Sequence, residues 1–178
     1  AGFGLWSDSM QNYRSNWVVK VVIILLIVLG GLGWRVTSDL WINRKRLQFR
    51  ALSLHTRLVL RTSFVLIVIG TIGLLITESI GKGGIFFSSL SFTERLTTAL
   101  FESISARTAG FNIIPLSLGS ISDSGLLLLM ALMFIGASPG GTGGGIKTTT
   151  LAALMAATRS TLRGQDEVVL RNRQISDK

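Results

Sequence analysis

The sequence predicts an all-α membrane protein in which spanning helices flank a re-entrant helix and the last span is broken by a glycine-rich intramembrane loop. Three observations carry this. Hydrophobic residues make up 48% of the chain against 15% charged, and a mean hydropathy of +0.54 is far above that of a soluble domain. Trp17 to Trp34 (broken only by Lys20) and Thr62 to Ile76, extending through Leu58 to Leu60 and Thr77, approach or reach the ~20 residues that cross a bilayer core. Finally, Ser138-Pro-Gly-Gly-Thr-Gly-Gly-Gly-Ile-Lys-Thr-Thr-Thr150 interrupts a run that is otherwise apolar helix. Gly136, Gly140, Gly141, Gly143, Gly144 and Gly145 each weaken a helix by about 1 kcal/mol relative to alanine. Non-helical backbone at membrane depth is tolerated only where protein buries it or water lines it. The break therefore points to a translocation pathway.

Charge orients the spans. Arg44, Lys45, Arg46, Arg50, Arg57 and Arg61 crowd the connection between the two apolar runs, which the positive-inside rule makes cytoplasmic. Arg159, Arg163, Arg171, Arg173 and Lys178 put the C-terminal segment on the same side, while Glu78, Lys82, Glu94 and Arg95 balance and suit the outside. A net charge of +9 placed around spans, without a recognition module, excludes nucleic acid as partner. The first apolar run starts too late, and lacks the cleavage site, for a signal peptide. Without cysteine there is no disulfide framework, and the redox compartment stays open.

The elements follow in order. Trp17 to about Ile42 runs inward, with Trp34 and Trp41 as anchors at the inner interface. An amphipathic stretch around Leu47 to Leu60 lies on the cytoplasmic face. About Leu58 to Ile80 returns outward and ends at Gly81-Lys-Gly-Gly84. Phe92 to Ser105 has Ser91 or Thr93 as N-cap and Glu94 in its first turn. It is too short and polar to span, and both its flanks lie outside, so it is re-entrant. A third span starts near Ser122, breaks at the glycine loop and resumes from Lys147 to about Leu162. The predicted units are 1–42, a basic linker 43–57, a full repeat 58–163 (pore helix 92–105, filter 106–112, broken span 122–162) and a linker 164–178.

An internal repeat supports this division. Ala1-Gly2-Phe3 recurs as Ala109-Gly110-Phe111, and each is followed by Ser-Asp-Ser, at Ser7 to Ser9 and Ser122 to Ser124, and then by an apolar helix. Asp8 and Asp123 are expected to stabilise helix starts. The chain thus reads as the tail of one repeat and the whole of the next, and, opening without methionine inside a motif, as a piece of a longer protein.

The chemistry is expected at Ser105 to Asn112. A helix ending at the membrane midplane aims the negative end of its dipole into the pore and favours a cation there. Gly110 permits a turn that lets the carbonyls of Thr108, Ala109 and Gly110 replace part of an ion's hydration shell. A plain extracellular turn fits the same residues. Arg107 either braces the filter through Glu102 or faces outer water. Lys147, ionisable at membrane depth, either pairs or blocks ions in the shut gate, or snorkels to the inner interface. Lys20 is expected to snorkel outward, and the lone His55 to sit solvated in the basic loop. A phosphate-binding-loop ATPase is the rival reading, but Ile146 separates Gly145 from Lys147, one residue out of register, and the flanks are membrane helix. No metal-ligand cluster or nucleophile–base pair can be composed. A structural membrane anchor explains the spans but neither the re-entrant helix nor the glycine break.

Ala-Arg-Thr-Ala-Gly-Phe-Asn at 106–112 and Gly-Ala-Ser-Pro-Gly-Gly-Thr-Gly-Gly-Gly-Ile-Lys-Thr-Thr from 136 resemble the membrane subunit of the Trk/Ktr potassium transporters. The resemblance implies four span–re-entrant helix–span repeats around a potassium-channel-like pore, of which this chain holds the end of the second and the third. It implies that Gly2 and Gly110 are filter glycines, with Thr108, Ala109 and Phe111 beside them. Ser138, Gly140, Gly141, Thr142, Gly143, Gly144 and Gly145, with Lys147, become an intramembrane gate. That loop is expected to block by bulk and move aside at small cost, since few packed side chains hold it. The implied cargo is potassium, with sodium open because one glycine per repeat means few carbonyl rings. The implied setting is a multi-pass cell-membrane protein without enzymatic activity or covalent cofactor. Its implied partners are the other repeats of its polypeptide, a second copy, a cytoplasmic nucleotide-binding regulatory subunit and membrane lipid.

Overall fold

The longest element organises the others. In a computed structural model describing residues 4, 6–44, 52–80, 89–107, 109–116, 120–163, 169–170 and 173–174, helix α3 spans Leu54–Ile80. Its 27 residues reach about 40 Å at 1.5 Å each, enough to cross a bilayer alone. Its most apolar window has a mean hydropathy of 2.3 and is only 28% buried, so most of that surface is built for an apolar surrounding. Gly2, Thr108 and residues 45–51 and 81–88 lie outside the described residues.

Before α3 come a short 3-10 turn, Gln11–Tyr13, then α1 (Trp17–Leu32) and α2 (Trp34–Ile42). Asn16 caps α1, its side chain accepting from the Val19 amide at 3.2 Å. Asp8, expected to support that helix start, instead accepts from the Asn12 side chain at 2.7 Å within the turn. The inward run expected to continue to Ile42 breaks at Gly33, where α2 departs at 99° from α1. Gly33 has φ +79 and ψ 155, a conformation essentially restricted to glycine, which accounts for the corner.

After α3 come α4 (Phe92–Ala106), α5 (Asp123–Phe134) and α6 (Thr148–Leu162), then a minimal antiparallel pair, β1 (Val169–Leu170) and β2 (Arg173–Gln174). The predicted order of span, re-entrant helix and broken span is the order observed. Helix α3 packs against α4, α5 and α6. Gly70 leaves the room this needs, since a Cβ there would press on Ser103 of α4 and Leu132 of α5. The main core joins Leu74, Ala99, Ala106, Ile114, Leu129 and Leu132; a second cluster joins Leu32, Val36 and Val59 where α1, α2 and α3 meet.

Carboxylates fasten three helix starts. Ser91 and Glu94 form a capping box on α4. Asp39 of α2 accepts from the Ser53 amide at 3.0 Å, and the Ser53 hydroxyl accepts from the Thr56 amide, extending α3 one turn before its predicted start. Glu78 of α3 accepts from the amide and hydroxyl of Ser122, at 3.1 and 2.6 Å, at the start of α5. A carboxylate is favoured at that positive helix end.

Candidate ion pathway

The predicted filter grows out of a buried helix end. From Phe101 to Ala106 every residue of α4 is buried. The helix stops at Ala106, and the amides of Ala109 and Gly110 both return to the Ser105 carbonyl, at 2.9 and 3.2 Å. Gly110 takes φ +83, which only glycine adopts readily, so the turn requires it. The chain then climbs back along its own helix. The Ser105 hydroxyl donates to the Phe111 carbonyl. The Glu102 carboxylate, 2% exposed, accepts from the amides of Ile113, at 2.9 Å, and Ile114. The preceding segment adds a third tie: the Asn112 amide donates to the Ser9 hydroxyl at 3.1 Å, and the Met10 amide donates to the Asn112 carbonyl at 2.9 Å.

Among the described residues no donor meets the carbonyls of Ala109 and Gly110, whereas that of Phe111 is occupied by Ser105. Unsatisfied carbonyls at the end of a buried helix are ready cation ligands. Glu102 ties down the segment that follows the Gly110 turn rather than Arg107, the partner expected from sequence, and Arg107 lines the adjoining cavity. Ser105 opened the segment expected to carry the chemistry, but its tie to Phe111 was not anticipated.

The break after α5 is a hydrogen-bonded loop. Helix α5 has 12 residues, about 18 Å, and cannot cross alone. The amides of Gly136 and Ile146 donate to the carbonyls of Ile146 and Phe134, both at 3.0 Å, closing the neck of the loop. The Ala137 amide donates to Gly144, the Thr148 hydroxyl meets the Ser138 hydroxyl at 3.1 Å, and Lys147 donates its ammonium to the Gly143 carbonyl at 2.7 Å. Lys147 thus cross-braces the loop, a role neither sequence reading of it anticipated.

The loop sits on α1. A helix end leaves its last carbonyls without intrahelical partners, and here the amides of Thr142 and Ser138 take those of Gly30 and Gly31, at 3.2 and 3.1 Å. The approach is close: a Cβ on Gly33 would stand 2.7 Å from the Pro139 carbonyl and 2.9 Å from the Gly141 nitrogen. Few side chains hold the loop, as expected; backbone bonds to itself and to α1 hold it as well. Between loop, α1 and filter turn lies a cavity of about 170 Å³, lined by Gly30, Ala109, Phe111, Thr142 and Gly143 among others.

Two further expectations are corrected. Lys20 does not snorkel: it is 6% exposed, lies 5.9 Å from the Trp17 ring centroid and donates to the Thr97 hydroxyl of α4 at 3.1 Å. His55 is not solvated: it sits half-buried in the first turn of α3, with Nε2 buried and unpartnered.

A short buried helix thus ends in a glycine turn, and the loop of an interrupted helix borders the cavity beside it. The chain belongs to the TrkH family of cation transport proteins, whose family model matches residues 1–178. It is therefore a component of an integral cell-membrane transporter and not an enzyme. It is 35% identical over 175 residues to the Ktr system potassium uptake protein B of Bacillus subtilis strain 168, covering 98% of this chain and 38% of that protein. It is 36% identical over 165 residues to the potassium/sodium uptake protein NtpJ of Enterococcus hirae, covering 93% and 35%. The crystal structure of the potassium transporter TrkH from Vibrio parahaemolyticus matches with a TM-score of 0.69 at 19% identity, over 91% of this chain and 32% of that one. The chain thus spans little more than a third of the curated relatives it matches.

Proposed function

We propose that this chain forms one quarter of a potassium uptake pore, together with the adjoining wall from the preceding repeat, and that sodium is also admitted. The ion is held by carbonyls of Thr108, Ala109 and Gly110, with the corresponding turn at Gly2 completing part of the ring. Ser138 to Gly145 and Lys147 form the gate beneath it. The observation that carries this reading is the cavity bounded by the filter turn on one side and the hydrogen-bonded glycine loop on the other. The names of the potassium and potassium/sodium uptake relatives support the choice of cargo.

The pore is completed by the other repeats of the same polypeptide. A second copy and a nucleotide-binding cytoplasmic subunit are the proposed partners, the latter acting on the cytoplasmic ends of α1 and α6. The deciding experiment is rubidium and sodium uptake by potassium-starved cells expressing the full-length parent, with and without Gly110→Ser. Wild type is expected to take up rubidium in preference to sodium and the variant to lose that preference. A variant indistinguishable from wild type makes Gly110 a turn residue only.

A further inference from the structure

Helix α2 has a use that ion passage does not require of it. Its inner face is buried: Val36 is fully covered, and Leu40 packs with Leu60 around Leu32, Val36 and Val59. Its outer face repeats at helical spacing, with Trp34, Ser38, Trp41 and Ile42 on one stripe. Trp34, Trp41 and Ile42 are 66%, 69% and 77% exposed. Arg35 flanks this stripe, and the Arg44 guanidinium stands 4.3 Å from the Trp41 ring centroid. Large apolar side chains left uncovered beside arginines mark a contact surface.

Orientation and charge name the partner. Helix α1 heads inward toward the basic connection, so α2 emerges at the cytoplasmic leaflet, and a helix at 99° to a span runs along the membrane plane. Tryptophan suits the headgroup boundary, apolar across its rings and polar at its N–H. Arginines there are attracted to anionic headgroups. Nearby, an apolar groove of about 430 Å³ opens between α1 and α3, lined by Leu32, Leu60 and Phe64 with Arg61 beside them, as an acyl chain and its headgroup require.

We infer that α2 is a membrane-surface helix whose Trp34–Trp41–Ile42 face docks into the cytoplasmic leaflet and prefers anionic phospholipid. Because Gly33 at its start leaves no room for a Cβ against Pro139 to Gly141, the depth of α2 also sets the position of the glycine loop. The docking rests on membrane topology alone and stands whether or not the pore carries potassium.

The test uses the full-length parent in an otherwise cysteine-free background, with Ile42→Cys carrying a bimane fluorophore, in phosphatidylcholine vesicles with or without phosphatidylglycerol. Nitroxide lipids labelled near the headgroup are expected to quench most of the fluorescence, and aqueous iodide little of it. Leaving out phosphatidylglycerol, or combining Arg35→Gln with Arg44→Gln, is expected to lower the lipid quenching. Trp41→Cys is the second reporter should Ile42→Cys not assemble. Quenching by iodide but not by lipid would put the face in water, and protection from both would put it under protein. Either result overturns the inference, as does lipid quenching indifferent to phosphatidylglycerol.

Discussion

The turn at Gly110 and the glycine loop both interrupt helix, but they are held differently. The return strand of the filter is fixed by side chains of its own helix: Glu102 takes the Ile113 amide and Ser105 the Phe111 carbonyl. The glycine loop is fixed by backbone bonds, to itself and to the carbonyls of Gly30 and Gly31 on the preceding helix. A buried carboxylate tie has no substitute once broken, because the amides it served stay dry. Amide–carbonyl bonds beside a cavity can be exchanged for bonds to water or ion at little net cost. The difference suits the proposed roles of a fixed filter and a movable gate.

The sharpest way to break the contrast is Glu102→Ala. It strands buried amides that the Glu102 carboxyl oxygen satisfied, at a cost of about 1–3 kcal/mol, and frees the return segment. The expected result is a lower melting temperature of the purified parent together with lost rubidium-over-sodium preference. Glu102→Gln keeps an acceptor and is expected to recover part of both. Unchanged selectivity in a folded Glu102→Ala protein would mean that the return strand is fixed elsewhere.

A smaller effect is expected at the seat of the loop. Gly33→Ala puts a side chain in a glycine-only conformation, a local strain of about 1–3 kcal/mol, and drives its Cβ against Pro139 to Gly141, a clash that is relieved when the loop lifts. Rubidium flux is expected to rise while selectivity holds, because the filter is untouched. Flux that falls with selectivity intact would mean that the seat serves the open rather than the closed loop.

The smallest of the three is Lys147→Met, which removes one charge-assisted bond to Gly143. It is expected to increase uptake modestly, with Lys147→Arg retaining most of the wild-type rate. An equal response to both substitutions would assign Lys147 to charge or shape alone.

Much of this was legible in the chain. The apolar runs, the basic connection and the glycine stretch place the spans, their orientation and the broken helix, because each is a local property of composition. Gly110 was legible because a lone glycine after a helix announces its turn. Gly30, Gly31 and Gly33 were visible too, yet read as part of one apolar run; nothing nearby in sequence says that a distant loop rests there. Glu78 read as one charge in a balanced outer segment, while the fold makes it the clasp of Ser122, 44 residues on. Lys20 read as a snorkelling lysine because Thr97, the hydroxyl that keeps it inside, lies 77 residues away.

The sequence by itself determined where helices run and where they must stop, since hydropathy, charge and glycine act on the residues that carry them. Only the tertiary structure decided what each stopped helix is bonded to. An orphaned amide or carbonyl takes the partner that packing brings within about 3 Å, and for Gly30 and Gly31 that partner is backbone more than a hundred residues away.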